Sequence, residues 1–242
     1  MQKMNDTGRR DVHKAQPGKY RPKGGIDILY EDRDVIVVEK PCGLLTMGTD
    51  RDKSRTVHTI LNEYVRKGDP RSKNRVYIVH RLDRDTSGIL LFARSETVKQ
   101  FLQDHWKETE KHYLTIVHGR LSAKEGIISS YLTENSALTV YSTPDPAKGK
   151  LSRTAYRVLK EINGFSLLDI NLLTGRKHQI RVHLSEQGNP VVGDTKYGKE
   201  SRTSNNLALH AGSLSFQHPV NGKLLAFETR MPERFIRLVG AL

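Results

Sequence analysis

The sequence predicts an α+β protein built on a mostly antiparallel sheet. Three observations carry this. Extended, β-branched segments outnumber amphipathic helical ones. The helical patterns do not alternate regularly with strands, as a parallel α/β sheet would require. Near the C-terminal end, Leu214-Ser215-Phe216 and Leu224-Leu225-Ala226-Phe227 flank Asn221-Gly222, a hairpin signal.

The elements follow in order. Ile28 and Leu29 open a first strand, Asp32-Arg33-Asp34 makes a turn, and Val35-Ile36-Val37-Val38 forms a second strand. Val57, Ile60, Leu61, Tyr64 and Val65 then recur at helical spacing and define one apolar face, which Gly68 and Pro70 terminate. Gly88-Ile89-Leu90-Leu91-Phe92-Ala93 is a continuous apolar run of the kind found in buried strands. Ser95 is a good N-cap for a second helix with Val98, Phe101, Leu102 and Trp106 inward. Tyr113 to Val117, Thr154 to Leu159 and Phe165 to Leu172 read as strands. In the last, Leu168, Ile170 and Leu172 alternate with Asp169 and Asn171.

Composition limits the function. The 242 residues contain 40 Lys and Arg against 27 Asp and Glu, a formal net charge of +13. A surplus of that size favours a polyanionic partner, because basic side chains attract phosphates and release their counterions. Residues 1–24 hold Lys3, Arg9, Arg10, Lys14, Lys19, Arg21 and Lys23 against Asp6 and Asp11, with few apolar residues. They read as a flexible basic leader before a domain spanning 25–242. Cys42 is the one cysteine, so no internal disulfide forms. No apolar stretch is long enough to span a bilayer, and the start lacks a secretory apolar core. A cytoplasmic monomer is expected.

The chemistry concentrates in His80-Arg81-Leu82-Asp83-Arg84-Asp85-Thr86-Ser87-Gly88, a charged loop that feeds directly into the buried strand. By residue types alone it reads as a solvated turn closed by Gly88. Further blocks change that reading: Lys40-Pro41-Cys42-Gly43, Lys111-His112-Tyr113-Leu114, Thr174 to Leu184 (TGRKHQIRVHL), Gly188 to Asp194 (GNPVVGD) and Leu209-His210-Ala211 with His218-Pro219. In order and spacing, these resemble the motifs of the pseudouridine synthase family, in the branch that acts on ribosomal and transfer RNA without a guide. The resemblance covers about residues 26 to 230. Two positions depart from the family's pattern. Lys177 stands where Thr or Ser is usual, and Leu44 to Gly48 lack the common His-Pro ending.

The resemblance implies a mixed, mostly antiparallel sheet in two halves flanked by helices, with the active-site cleft between them. It implies Asp83 as the catalytic carboxylate, Arg181 as its cation and Tyr113 against the uracil ring. Arg81 would fill the space left by a flipped base. Ile180 and Leu184 would wall the pocket, and His80, Thr86, Arg176, His178 and Gln179 would face the RNA. Residue spacing around Ile180 suits either a helix or a strand. The resemblance places a helix there, after the Thr174-Gly175-Arg176 turn and ended by Gly188. No S4-type module is expected before the domain.

Uridine isomerisation breaks N1–C1′ and joins C5 to C1′. A carboxylate serves it either as nucleophile or as base, and both routes stay open. An ionised carboxylate in a desolvated pocket needs a cation beside it. No metal or other cofactor is expected. His178 and His183 are five apart, which fits neither a helical i, i+4 pair nor one strand face. No Walker loop, G-x-G-x-x-G or methyltransferase-type glycine turn is present. The competing expectation is a non-catalytic RNA-binding or ribosome-assembly protein with the same fold, which has no need of the set Asp83, Tyr113 and Arg181.

Overall fold

The computed structural model describes residues 12–14, 22, 25–48, 55–198 and 206–241. Its elements are β1 (Val12–Lys14), β2 (Asp27–Glu31), β3 (Val35–Lys40), α1 (Val57–Arg66), β4 (Tyr77–Ile78), β5 (Ser87–Ala93), α2 (Glu96–Asp104), β6 (Glu110–His118), β7 (Glu125–Glu134), β8 (Val140–Thr143), β9 (Lys150–Ile162), β10 (Phe165–Leu172), α3 (Gln179–Glu186), β11 (Leu209–Gln217), β12 (Leu224–Glu228) and α4 (Glu233–Val239). The strands form one sheet in the order β2-β3-β5-β11-β6-β10-β9-β7-β8, with β12 beside β11 and β4 beside β5. Among the described residues, β5–β11 and β1–β12 pair parallel and the other pairs are antiparallel.

The apolar runs of β3 and β5 are continuous because helices cover both faces of these strands. Ile36, Val38, Leu90 and Phe92 meet Val57, Ile60, Leu61 and Val65 of α1. The alternate residues Val35, Val37, Ile89 and Leu91 meet Val98 and Leu102 of α2. Local chemistry sets the helix ends. Thr56 and Thr59 form a reciprocal capping box at α1, and Ser95 Oγ accepts from Val98 N at 3.2 Å at α2. In the other half Ile116, Leu168, Ile170, Ile180, Leu184 and Phe235 pack as one core.

Two details differ from the sequence reading. Val12–Lys14, inside the segment read as a leader, form a strand on β12. The rest of that segment lies outside the described residues apart from residue 22. The Asn221-Gly222 pair does not make a two-residue hairpin, since β11 and β12 are joined through His218–Lys223. The cause is His218. Its Nδ1 accepts from Val220 N and Asn221 N at 3.2 and 3.3 Å, so its Nε2–H donates to Asp32 Oδ2 at 2.8 Å. The link is thereby latched to the β2–β3 turn. Asp32, Asp34 and His218 have metal-ligand chemistry, but the imidazole's lone pair is already engaged and its proton points at the carboxylate.

The two halves join where β5 and β11 run parallel, at Ser87–Gly88 and His210–Ala211. Gly88 has φ +112°, and a Cβ there would lie 2.2 Å from Ala211 O and 2.7 Å from Ala211 N. Backbone blocks it on both counts, so only glycine permits this approach. Gly88→Ala is expected to cost more than about 3 kcal/mol in urea unfolding, the range of severe packing defects. Gly164→Ala, also at positive φ but with nothing within 4 Å, should cost only about 1–2 kcal/mol. Equal losses would show that the crossing of the halves is not the constraint.

Candidate active site

The loop before β5 is held by the segment after β3. Lys40 is fully buried, and its Nζ donates to Leu44 O at 2.6 Å, Arg84 O at 2.8 Å and Pro41 O at 3.0 Å. Burial pushes its ammonium down to about 8, with Cys42, Asp85 and Asp83 pulling the other way. Thr46 Oγ1 donates to Leu82 O at 2.8 Å and accepts from Leu82 N at 3.1 Å. Gly43 N donates to Arg84 O at 3.0 Å, and Thr86 N closes the turn on Asp83 O at 3.2 Å. Polar contacts therefore fix the backbone on both sides of Asp83.

His80 anchors the start of the loop. Its Nε2 accepts from Leu91 N at 3.1 Å, and its ring lies 4.5 Å from that of Trp106. Burial, with Lys111 nearby, drives the imidazole down to about 3, so it is neutral. Arg81 is exposed on the cleft rim, while Thr86 is buried in the wall.

Asp83 lies in a cleft of about 420 Å³ between the two halves, which is also lined by Tyr113 from β6 and by Ile180 and Arg181 from α3. Arg181 Nη1 donates to Asp83 Oδ2 at 3.0 Å. The other edge of that guanidinium grips Asp194, Nε to Oδ2 at 2.8 Å and Nη2 to Oδ1 at 2.9 Å. Burial alone would weaken the Arg181 charge, but Asp194 and then Asp83 more than offset it. Burial would likewise raise the Asp194 carboxyl; Arg181 and the Tyr197 and Lys196 amides hold it below the usual carboxylate range. Burial, reinforced by Asp83, raises the Tyr113 phenol well above its usual value, so it enters the cleft protonated.

The predicted residues divide when placed in this geometry. Asp83, Tyr113, Arg181, Arg81, His80, Thr86, Arg176, His178, Gln179 and Ile180 all line the cleft. Leu184 does not: one helical turn beyond Ile180 it is fully buried in the core behind the wall. Gln179 faces the cleft, but its amide braces the turn rather than offering itself to RNA. Its Oε1 accepts from Thr174 Oγ1 and Arg176 N, and its Nε2 donates to Arg153 O and Thr154 Oγ1. His178 occupies a left-handed backbone position at the start of α3, and its Nε2 lies 3.7 Å from Asp83 Oδ2. His183 points instead into a buried network with Thr154 and Ser130. Lys177 forms an ion pair with Glu134 at the rim.

Residue-type reasoning overlooked Asp194 and Tyr197. Their signal was the flanking glycines, which mark a tight turn. Gly193 has φ +78°, and a Cβ there would lie 2.4 Å from Asn206 O.

A model of the RNA pseudouridylate synthase family matches residues 34–186, which include the Asp83 loop, Tyr113 and Arg181. The chain belongs to the RNA pseudouridine synthase family. Its members are RNA uridine isomerases, and the chain is an enzyme of that class. It is 36% identical to the uncharacterized RNA pseudouridine synthase YlyB of Bacillus subtilis (strain 168), over 90% of this chain and 73% of that protein. It is 33% identical to ribosomal large subunit pseudouridine synthase D of Nitrosomonas europaea, over 90% of this chain and 65% of that one. The fold matches human RNA pseudouridylate synthase domain containing 4 with a TM-score of 0.73 at 22% identity, covering 86% and 90% of the two chains. The two-halved pseudouridine synthase fold is thus the architecture of this sheet.

In this synthase the Asp194 carboxylate has a depressed pKa, so its contribution to stability is present above the unfolded value and is lost as pH falls below about 4. Asp194→Asn removes one partner of a buried pair and should lower unfolding stability by about 3 kcal/mol near neutral pH. The gap from the wild type should shrink by about pH 3, where the carboxylate of the unfolded chain is largely protonated. Urea unfolding at both pH values checks this, and a gap that stays constant would remove the ion pair as its source.

Proposed function

We propose that the protein converts a specific uridine of structured RNA, in large-subunit ribosomal RNA or transfer RNA, to pseudouridine, with Asp83 as the catalytic carboxylate. The observation that carries this is the meeting of Asp83, Tyr113 and Arg181, from three distant parts of the chain, in one cleft. The relative named for the ribosomal large subunit supports the RNA class. The surplus of basic residues supports a phosphate-rich partner. No helix among the described residues is long and apolar enough to cross a membrane. We place the enzyme's work in the cytoplasm, as a monomer.

The chemistry is redox-neutral. The N1–C1′ bond breaks, C5 bonds to C1′, the C5 proton departs and N1 gains a proton. Asp83 acts on the ribose, either by adding to C1′ and leaving again or by removing the C2′ proton and returning it. Arg181 Nη1 holds Asp83 through Oδ2, which leaves the other oxygen, Oδ1, for the sugar. Tyr113 packs against the uracil and, as a protonated phenol, donates a hydrogen bond rather than serving as a resting anionic base. Nothing in these steps needs a metal or an oxidant.

Asp83→Asn keeps the side chain's size and removes its charge. Tritium release from C5-labelled uridine in RNA should disappear while RNA binding survives. Activity within about tenfold of the wild type, about 1.4 kcal/mol of barrier, would end the assignment.

Arg81 stands exposed on the rim two residues before Asp83. A stacked uridine cannot present its ribose to Asp83, and extruding a nucleotide costs a few kcal/mol. We assign Arg81 to filling the vacated stack with its planar guanidinium. Arg81→Ala should be severely impaired on structured RNA and less so on RNA whose target uridine is already unstacked. Single-turnover rates on the two substrates decide this, and equal losses would place Arg81 in support of the loop instead.

A further inference from the structure

We propose that Tyr197 locks His178 into one neutral tautomer, so that His178 presents Nε2–H beside Asp83 as a fixed hydrogen-bond donor to a ribose oxygen of the target nucleotide. This rests on the reading of the cleft as the site of uridine isomerisation.

The tautomer follows from counting donors. The amide of Val140 donates to Tyr197 Oη at 3.1 Å, and an amide nitrogen can only donate. Tyr197 Oη therefore accepts from β8 and has its own hydrogen to offer His178 Nδ1, 2.7 Å away. Burial raises the Tyr197 phenol, which keeps that hydrogen in place. With Nδ1 an acceptor, the imidazole's single proton sits on Nε2. Nε2 faces Asp83 Oδ2 at 3.7 Å, too long for a direct hydrogen bond. The N–H is thus aimed at the carboxylate's neighbourhood without being consumed by it. The atom that Asp83 must approach is a ribose carbon, and the acceptors beside C1′ and C2′ are the 2′-oxygen and the ring oxygen.

Tyr197 is itself rigidly placed. Its amide donates to Asp194 Oδ1 at 3.0 Å, its carbonyl accepts from Ser185 Oγ at 2.6 Å, and its ring lies 5.1 Å from the Arg181 guanidinium carbon. One short turn therefore orients both groups that face Asp83, Arg181 through Asp194 and His178 through Tyr197. The charges around His178 are Asp83 on the loop before β5, Arg181 on α3, Lys177 next to it, Lys196 on the following turn and Glu134 at the end of β7. Burial first, then the three cations, hold the imidazole below its usual value despite Asp83, so a neutral donor persists as pH falls toward 6.5.

The test begins on the free full-length protein, with nitrogen-15 NMR of the His178 ring across pH. The wild type should show the Nε2–H tautomer and a depressed pKa. Tyr197→Phe should show mixed tautomers. An Nδ1–H ring in the wild type, or no change in Tyr197→Phe, overturns the proposal. Kinetics use transcribed large-subunit ribosomal RNA and transfer RNA, with the wild type's product mapped first to locate the target uridine. Tyr197→Phe should lower kcat roughly tenfold, the scale of one hydrogen bond. It should add no further loss in a His178→Ala background. His178→Gln, which keeps a donor near the Nε2 position, should recover most of the His178→Ala deficit. A 2′-deoxy target that abolishes the His178 effect identifies the 2′-oxygen as acceptor, and a persisting effect identifies the ring oxygen. Additive losses for Tyr197 and His178 would overturn the coupling. Failure of the wild type to form pseudouridine would instead sink the functional reading and leave the NMR result standing.

Discussion

Arg181 bridges two carboxylates across the cleft, and much of the site depends on that contact. Its guanidinium sits with three nitrogens bonded, two to Asp194 and one to Asp83. A planar fork of this kind has little freedom left once both edges are engaged. Asp194 gives it a fully buried carboxylate on its own half of the molecule, and Asp83 a partly exposed one on the other half. The pair to Asp194 is structural, and the pair to Asp83 is poised toward solvent and substrate. The cation is thus shared between holding the site together and orienting the carboxylate that faces the cleft.

That contact is useful only if the two halves hold their relative position. The parallel pairing of β5 and β11 provides this, at Gly88 and Ala211, where a glycine lets the backbones approach. The charged loop emerges from the start of β5, so its anchor is the crossing itself. The segment after β3 braces the loop from the other side through Lys40 and Thr46. A buried ammonium is an expensive brace in desolvation. It suits this position because three backbone carbonyls converge there, and an apolar side chain would take a donor from each of them.

Some elements were legible locally and others were not. β3, β5, α1 and α2 announced themselves because helices cover both strand faces, which makes the strands continuously apolar and the helices clearly one-sided. β7 gave no such signal. Its inward position Ser130 is polar because it meets His183 Nε2 at 3.0 Å, and its outward Ile127 is exposed, so the expected alternation is broken on both faces. α4 spans only seven residues, too short for a helical period to stand out. The hairpin dipeptide misled because His218 uses a tertiary partner, Asp32, to shape a longer link.

By itself the sequence determined the fold class, the basic partner chemistry and the family, because ordered motifs and strand-rich patterning are properties of the chain's order. It also nominated Asp83, Tyr113 and Arg181 through their motifs. Only the tertiary structure decided what surrounds them. Leu184 belongs to the core rather than the pocket wall, because one helical turn carries it past the cleft and into the packing against β6 and β10. The Gln179 amide is occupied by its own turn, and Asp194 and Tyr197 complete the site from beyond α3. Such roles depend on which donors and acceptors meet across distant segments. A buried polar group takes its partner from the fold, and residue type alone does not reveal which partner that will be.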